Sequence, residues 1–282
     1  MSSYQAYFRE KILPRVQKPA RYLGNEINAV AKAHEQCSMK VALAFPDLYE
    51  IGMSHLGLKI LYHIINAVPH WAAERVFMPG SDLEEIMHKE GFPLCSLETV
   101  TPLSQFDIVG FTLQYELSYA TILRMLKLAG IPLWAFERSE KDPFVAAGGP
   151  GAFNPEPLAP FFDFVLLGDA EEAFPEVLRL LEETKALSRR RRLELLSGIR
   201  GVYVPAFYRE ERDEAGVYLG TKPVAPHYPA RVKRAVVASL DKAPYPTAFI
   251  VPYSDIVHDR MVLELFRGCT RGCRFCQAGV IY

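Results

Sequence analysis

Three cysteines near the end of the 282-residue chain, Cys269, Cys273 and Cys276, fall within eight positions in the stretch Arg267-Gly-Cys-Thr-Arg-Gly-Cys-Arg-Phe-Cys-Gln277. Spaced by three residues and then by two, they offer three thiolates from one short loop, a soft donor set that suits an iron–sulfur cluster better than an isolated divalent ion. A fourth ligand is missing. Zinc completed by a distant histidine is a competing reading, although structural zinc favours paired knuckles and four protein ligands. An iron–sulfur electron carrier is another, and carriers normally close every iron with protein. A cluster held by only three thiolates keeps one iron open to a small molecule.

The rest of the composition sets the surroundings. Five cysteines is an odd number, and nothing at the N-terminus reads as a secretory signal, so the thiols belong in a reducing, cytoplasmic compartment. Cys37 and Cys95 stand alone and read as structural thiols. With 50% hydrophobic and 23% charged residues and a net charge of −1, the chain has material for a core and no bias toward polyanions; nucleic acid is not indicated as a partner. The basic run Arg189 to Arg192 reads as a solvated helix face. No apolar stretch approaches the ~20 residues that span a bilayer, so no membrane partner is expected.

The elements that must position the cysteine loop follow from periodicity. Residues 1–38 carry apolar side chains at helical spacing, first around Tyr7, Ile12 and Val16, then around Ile27 and Val30, and predict a helical lead-in. Across 39–197 apolar strands alternate with helices: strands at Val41–Phe45, Arg75–Met78, Leu94–Leu97, Asp107–Thr112, Leu133–Phe136, Phe144–Ala147 and Phe164–Leu167, with helices near 54–67, 82–89, 115–129 and 170–183. That alternation predicts an α/β fold, a doubly wound Rossmann-like or flavodoxin-like parallel sheet. Ligands in such sheets bind at the carboxyl ends of the strands. The loops there include Gly148-Gly149-Pro-Gly151, which serves either as a tight turn or as a close approach to a ligand. Residues 198–257 change to short strands between prolines, including Arg231–Val237, a β-rich connector. Met261–Phe266 reads as a strand feeding the cysteine loop.

The CxxxCxφC pattern, with Phe275 just before the last cysteine, resembles the cluster loop of radical S-adenosylmethionine (SAM) enzymes, and the flanking Glu264-Leu-Phe-Arg-Gly-Cys and Cys276-Gln-Ala-Gly resemble an uncharacterised bacterial branch of them. The resemblance implies that Cys269, Cys273 and Cys276 hold a [4Fe-4S] cluster, that SAM chelates its fourth iron, and that Phe275 lies near the adenine. It implies an external reductant such as flavodoxin or ferredoxin, and a front half like a cobalamin-binding domain, with Gly148 and Gly149 on the corrinoid side. Here the sequence departs from the family's D-x-H-x-x-G ligand loop: His55 lies in Met53-Ser-His-Leu-Gly57, at a helix start, so cobalamin is implied without an evident axial histidine. His258, Asp259 and Arg260 become candidate wall residues of the substrate side, or an ordinary charged turn. Residues 258–282 would begin a (β/α) barrel. Six residues follow Cys276, whereas one further βα step takes about 30, so the sequence reads as a truncated portion, not active alone. The contrasting expectation is a non-catalytic corrinoid- or nucleotide-binding module with a vestigial cluster loop.

Overall fold

The strands of the central sheet are nearly continuous in apolar residues because both of their faces are covered. In the computed structural model, which describes residues 3–282, α1 (Ser3–Tyr7) runs through short turns to Tyr22 and then to β1 (Met39–Phe45). Met1 and Ser2, the first two residues of the expected lead-in, lie outside the described residues. After β1 come α2 (Tyr49–Gly52), α3 (Leu56–Asn66), β2 (Trp71–Phe77), α4 (Ser81–Glu90), β3 (Ile108–Thr112), α5 (Tyr119–Leu128), β4 (Phe144–Gly148), β5 (Phe164–Leu166), α6 (Ala170–Glu183), α7 (Arg189–Leu196) and the two-residue β6 (Val202–Tyr203). The first five strands are parallel in the order β2-β1-β3-β4-β5, and β6 joins β5 antiparallel. This is the flavodoxin-like member of the two doubly wound orders.

Alternate residues of each strand feed the two halves of the core. Val41, Leu43, Phe45, Ala146 and Phe164 pack under α3, α6 and α7. Ala42, Ala44, Val109, Phe111 and Val145 pack under α4, α5 and the N-terminal segment, through Phe8, Ile12 and Val16. A separate hairpin, β7 (Tyr208–Arg212) with β8 (Tyr218–Pro223), represents the connector, and α8 (Ala278–Ile281) follows the cysteine loop.

Four expected strands are not strands. Leu94–Leu97 follows Pro93 and makes a single bridge, Cys95 to Pro102, because proline cannot donate to a ladder. Leu133–Phe136 follows Pro132 and turns at Ala135–Glu137, leaving Phe136 on the surface; its aromatic content imitates strand composition without a buried face. Arg231–Val237 contributes only the Gly168–Ala235 bridge, since Ala235 and Val237 alone among its residues are buried. Met261–Phe266 is extended without a partner strand, and Met261, Leu263, Leu265 and Phe266 are exposed. The expected helix around Ile27 and Val30 is also absent: Asn28 has φ +68° and Ile27 bridges Val251.

Charge is buried where it has partners. Arg75, in β2, is fully buried; it donates to Glu98 through its backbone N (2.7 Å) and Nε (2.6 Å) and to Glu26 through Nη2 (2.7 Å). Arg189 does not sit on a solvated face. It pairs with Asp163 at 2.9 Å, which also binds Arg138 at 2.8 Å, and it caps the carbonyls of Asp142 and Pro143.

Removing Arg75 leaves the buried Glu26 and Glu98 side chains without their shared donor, so Arg75→Met is expected to cost about 3–5 kcal/mol, read as a lower midpoint of urea unfolding by circular dichroism. Burial pushes the Glu98 carboxyl from its ordinary 4.5 up to about 7, against the pull of Arg75. The folded state therefore binds this proton more tightly than the unfolded chain does. Its stabilising contribution is complete below about pH 4.5 and is lost as pH rises through about 7. Urea midpoints measured from pH 5 to 8 should fall, and the fall should flatten in Glu98→Gln.

Candidate functional site

At the carboxyl ends of β1, β3, β4 and β5 a cavity of about 440 Å³ opens between α3 and α6. Its floor follows one register row across the sheet, Leu43, Gly110, Ala146 and Phe164. The two small residues in the middle of that row leave the space. A glycine inside a strand costs roughly 0.5–1 kcal/mol relative to alanine, and no packing demands one here: a Cβ on Gly110 would meet nothing closer than Ala42 O at 4.0 Å. A lone strand glycine that its neighbours do not require marks a surface kept free for a ligand.

The rim is built from the βα junctions. Gly148 and Gly149 both line the cavity, Gly149 at φ +97° with Leu113 O only 2.9 Å from where a Cβ would lie. Gly168, at φ +98°, leads into α6; a Cβ there would stand 2.1 Å from Ala235 O, so this glycine serves chain packing. Asp169 and Glu171, at the start of α6, face the mouth, where they meet Glu264, Arg267, Gly268 and Tyr282 of the C-terminal segment.

His55 is the N-cap of α3, and its Nδ1 accepts the Leu58 N–H at 3.1 Å. That bond places the proton of a neutral ring on Nε2; Gln114, which lies against the imidazole, is itself a donor to Thr112 Oγ1. Burial lowers the imidazole below its ordinary value of 6.5, with the Gln114 hydrogen bond opposing. His55 is thus a neutral ring with one nitrogen committed to the helix and the other a donor. In this arrangement Nδ1 is committed to the helix cap.

The three cysteines lie in an exposed loop between Gly268 and α8, with a turn closed by Cys276 N to Cys273 O at 3.1 Å. Among the described residues, no three His, Cys, Asp or Glu side chains are grouped to hold a metal. The thiols share a loop but do not converge. Their donor chemistry still fits an iron–sulfur cluster: three soft ligands, open to solvent, hinged on glycines with φ +85° at Gly268 and +65° at Gly272. Phe275 is 93% exposed and takes no part in the cavity. Cys37 and Cys95 are half-buried free thiols, each pushed up in pKa by burial. His258 is joined to the turn after α2 by its backbone N–H to Ser54 Oγ at 3.0 Å, and Arg260 donates to its Nδ1. Gly110 and Arg267 were not singled out from sequence, although an isolated glycine in a strand pattern is a readable signal.

Residues 57–205, from α3 through the start of the connector, match the family of radical SAM proteins, N-terminal. The chain belongs to this family. The matched part of this radical SAM N-terminal protein covers just over half of it and holds β2 to β6 with Gly110, Ala146 and Phe164 of the cavity floor, but neither β1 with Leu43 nor the cysteine loop. A relative in Methanocaldococcus jannaschii, the uncharacterized protein MJ0966, is 26% identical over 243 residues, which is 86% of this chain and 41% of that protein. The chain thus spans less than half the length of that curated relative. Two solved structures of the radical S-adenosylmethionine methyltransferase TsrM from Kitasatospora setae are weakly similar, each at 14% identity. One, with tryptophan and a SAM analog bound, has a TM-score of 0.39 over 68% of this chain and 31% of TsrM. The other, with cobalamin and a [4Fe-4S] cluster bound, has a TM-score of 0.38 over 74% and 31%. The fold assignment rests on the strand order above. No helix among the described residues is long and apolar enough to cross a membrane.

If the cavity is kept open by Gly110, Gly110→Ala should raise urea stability by about 0.5–1 kcal/mol. Gly110→Leu should fill the space and abolish the fluorescence of Nile red, a neutral apolar probe, added to the wild-type protein. Equal dye fluorescence in Gly110→Leu and wild type would count against the site.

Proposed function

We propose that this chain is the front portion of a radical SAM enzyme, with Cys269, Cys273 and Cys276 as the cluster ligands. The observation that carries this reading is the donor set itself. Three solvent-open cysteine thiols on a glycine-hinged loop, with no fourth metal ligand grouped beside them among the described residues, stand next to the open end of a doubly wound sheet in a chain of the radical SAM N-terminal family. When bound, a [4Fe-4S] cluster with SAM on its open iron supplies reductive cleavage of the sulfonium to a 5′-deoxyadenosyl radical.

This chain's own residues would do the rest. Gly268 and Gly272 let the loop wrap so that the three thiolates converge, the folding of a ligand sphere coupled to its metal. Phe275, exposed between two ligands, is free to cover the adenine of SAM. The cavity above Gly110 and Ala146, rimmed by Gly148 and Gly149, would hold a second cofactor, a cobalamin. His55 would not be its lower ligand, because its Nδ1 caps α3 and its Nε2 carries the proton. A flavodoxin- or ferredoxin-type reductant would deliver the electron.

The test is anaerobic reconstitution of the full-length protein with iron and sulfide. Wild type should gain cluster absorbance and release 5′-deoxyadenosine from SAM under dithionite. Alanine at any one of Cys269, Cys273 or Cys276 should cut both to below about a tenth, since each thiolate is one of only three protein ligands. A wild-type protein that binds hydroxocobalamin but takes up no iron would instead support the non-catalytic module.

A further inference from the structure

Arg267 stands two residues before Cys269 and makes three ion pairs at once, with Asp169 Oδ1 at 3.1 Å, with Glu264 at 2.8 Å and with Glu171. Asp169 occupies the N-cap position of α6 and Glu171 lies in its first turn. Carboxylates are stabilised at a helix N-terminus, whereas a cation is repelled by it. The guanidinium is therefore held by the acids alone, against the helix dipole, and its fork of donors is the one side chain that can satisfy several carboxylates together.

The pairing is largely sheltered: the side chains of Asp169 and Glu171 are 8% and 7% exposed. Asp169 is fixed from behind by the Val237 N–H at 2.9 Å. Three carboxylates around one guanidinium leave the cluster negative, so without Arg267 the acids would repel one another and drive Glu264 away from α6. Among the described residues, the ion pairs of Arg267 are the only salt bridges made by residues 264–282. Among the described residues, no backbone-to-backbone hydrogen bond joins residues 264–277 to the sheet or its helices. The same guanidinium, with Gly268 and Tyr282, also forms part of the cavity mouth.

We propose that Arg267 is the positioning residue of the thiolate loop, anchoring it on the acidic first turn of α6 at the rim of the cavity. The assignment to a cluster rests on the function proposed above; the anchoring rests on geometry alone, and the experiment separates them. Amide hydrogen exchange is followed by mass spectrometry across residues 264–282 of the metal-free full-length protein. Four proteins are compared: wild type, Arg267→Met, the charge-reversed pair Glu171→Arg with Arg267→Glu, and Arg271→Met as a loop control that breaks no ion pair.

Arg267→Met should exchange at least about tenfold faster over this segment, as expected when a local anchor is lost. The reversed pair should recover part of the protection, Arg271→Met should match wild type, and any fall in the urea midpoint of the sheet should be too small to account for the faster exchange. After anaerobic reconstitution, iron and sulfide per chain should follow the same ranking, with altered cluster electron paramagnetic resonance in Arg267→Met. Unchanged exchange in Arg267→Met, or a loss of sheet stability that accounts for the faster exchange, would overturn the anchoring. An exchange contrast in a wild-type protein that takes up no iron would sink the cluster reading and leave the anchor standing.

Discussion

The site depends on a reversal of winding between two neighbouring strands. From β1 the chain crosses to β2 on one side and then returns to place β3 on the other side of β1. The connections leaving β1 and β3 must part, and a crevice opens at their carboxyl ends. Four separate junctions then meet around it: the His55 cap of α3, the turn after β3 with Thr112 and Gln114, the glycines after β4, and the first turn of α6 after β5. None of these segments is close to another in sequence. Only the strand order brings them together.

How much of this was legible depended on how local the signal was. The strands at 41–45, 107–112, 144–147 and 164–167 were readable because burial on both faces leaves them almost purely apolar, and α6 was readable from its period and its acidic start at Asp169. β2 was legible only in part, since Glu74 and Arg75 sit in its middle; they are tolerated because His34 and Thr99 reach Glu74 and Glu26 and Glu98 reach Arg75, mostly from distant segments, and no window of sequence contains that information. Arg189 was misread for the same reason, its partner Asp163 lying 26 positions earlier, just before β5. Leu133–Phe136 has the composition of a strand but no sheet edge to join. For the cysteines, the shared loop was legible and the arrangement was not: the three side chains lie on one exposed loop and, among the described residues, are not grouped to hold a metal.

The polar groups around the crevice are nearly all committed elsewhere. His55 serves a helix, Gln114 serves His55 and Thr112, and Asp169 serves Val237 and Arg267. What remains facing inward is mostly hydrocarbon and main chain, so a guest would be selected first by fit and only secondarily by charge.

That fit has an unusual origin, because the bottom of the crevice is bare β-sheet backbone with a hydrogen at Gly110 and a methyl at Ala146. Depth can then be changed one carbon at a time, at two positions, while the ladder beneath stays the same. Among relatives sharing this sheet, guest size could drift by such steps without any rebuilding of the architecture, and the residues aligned with these two are the place to look for that divergence.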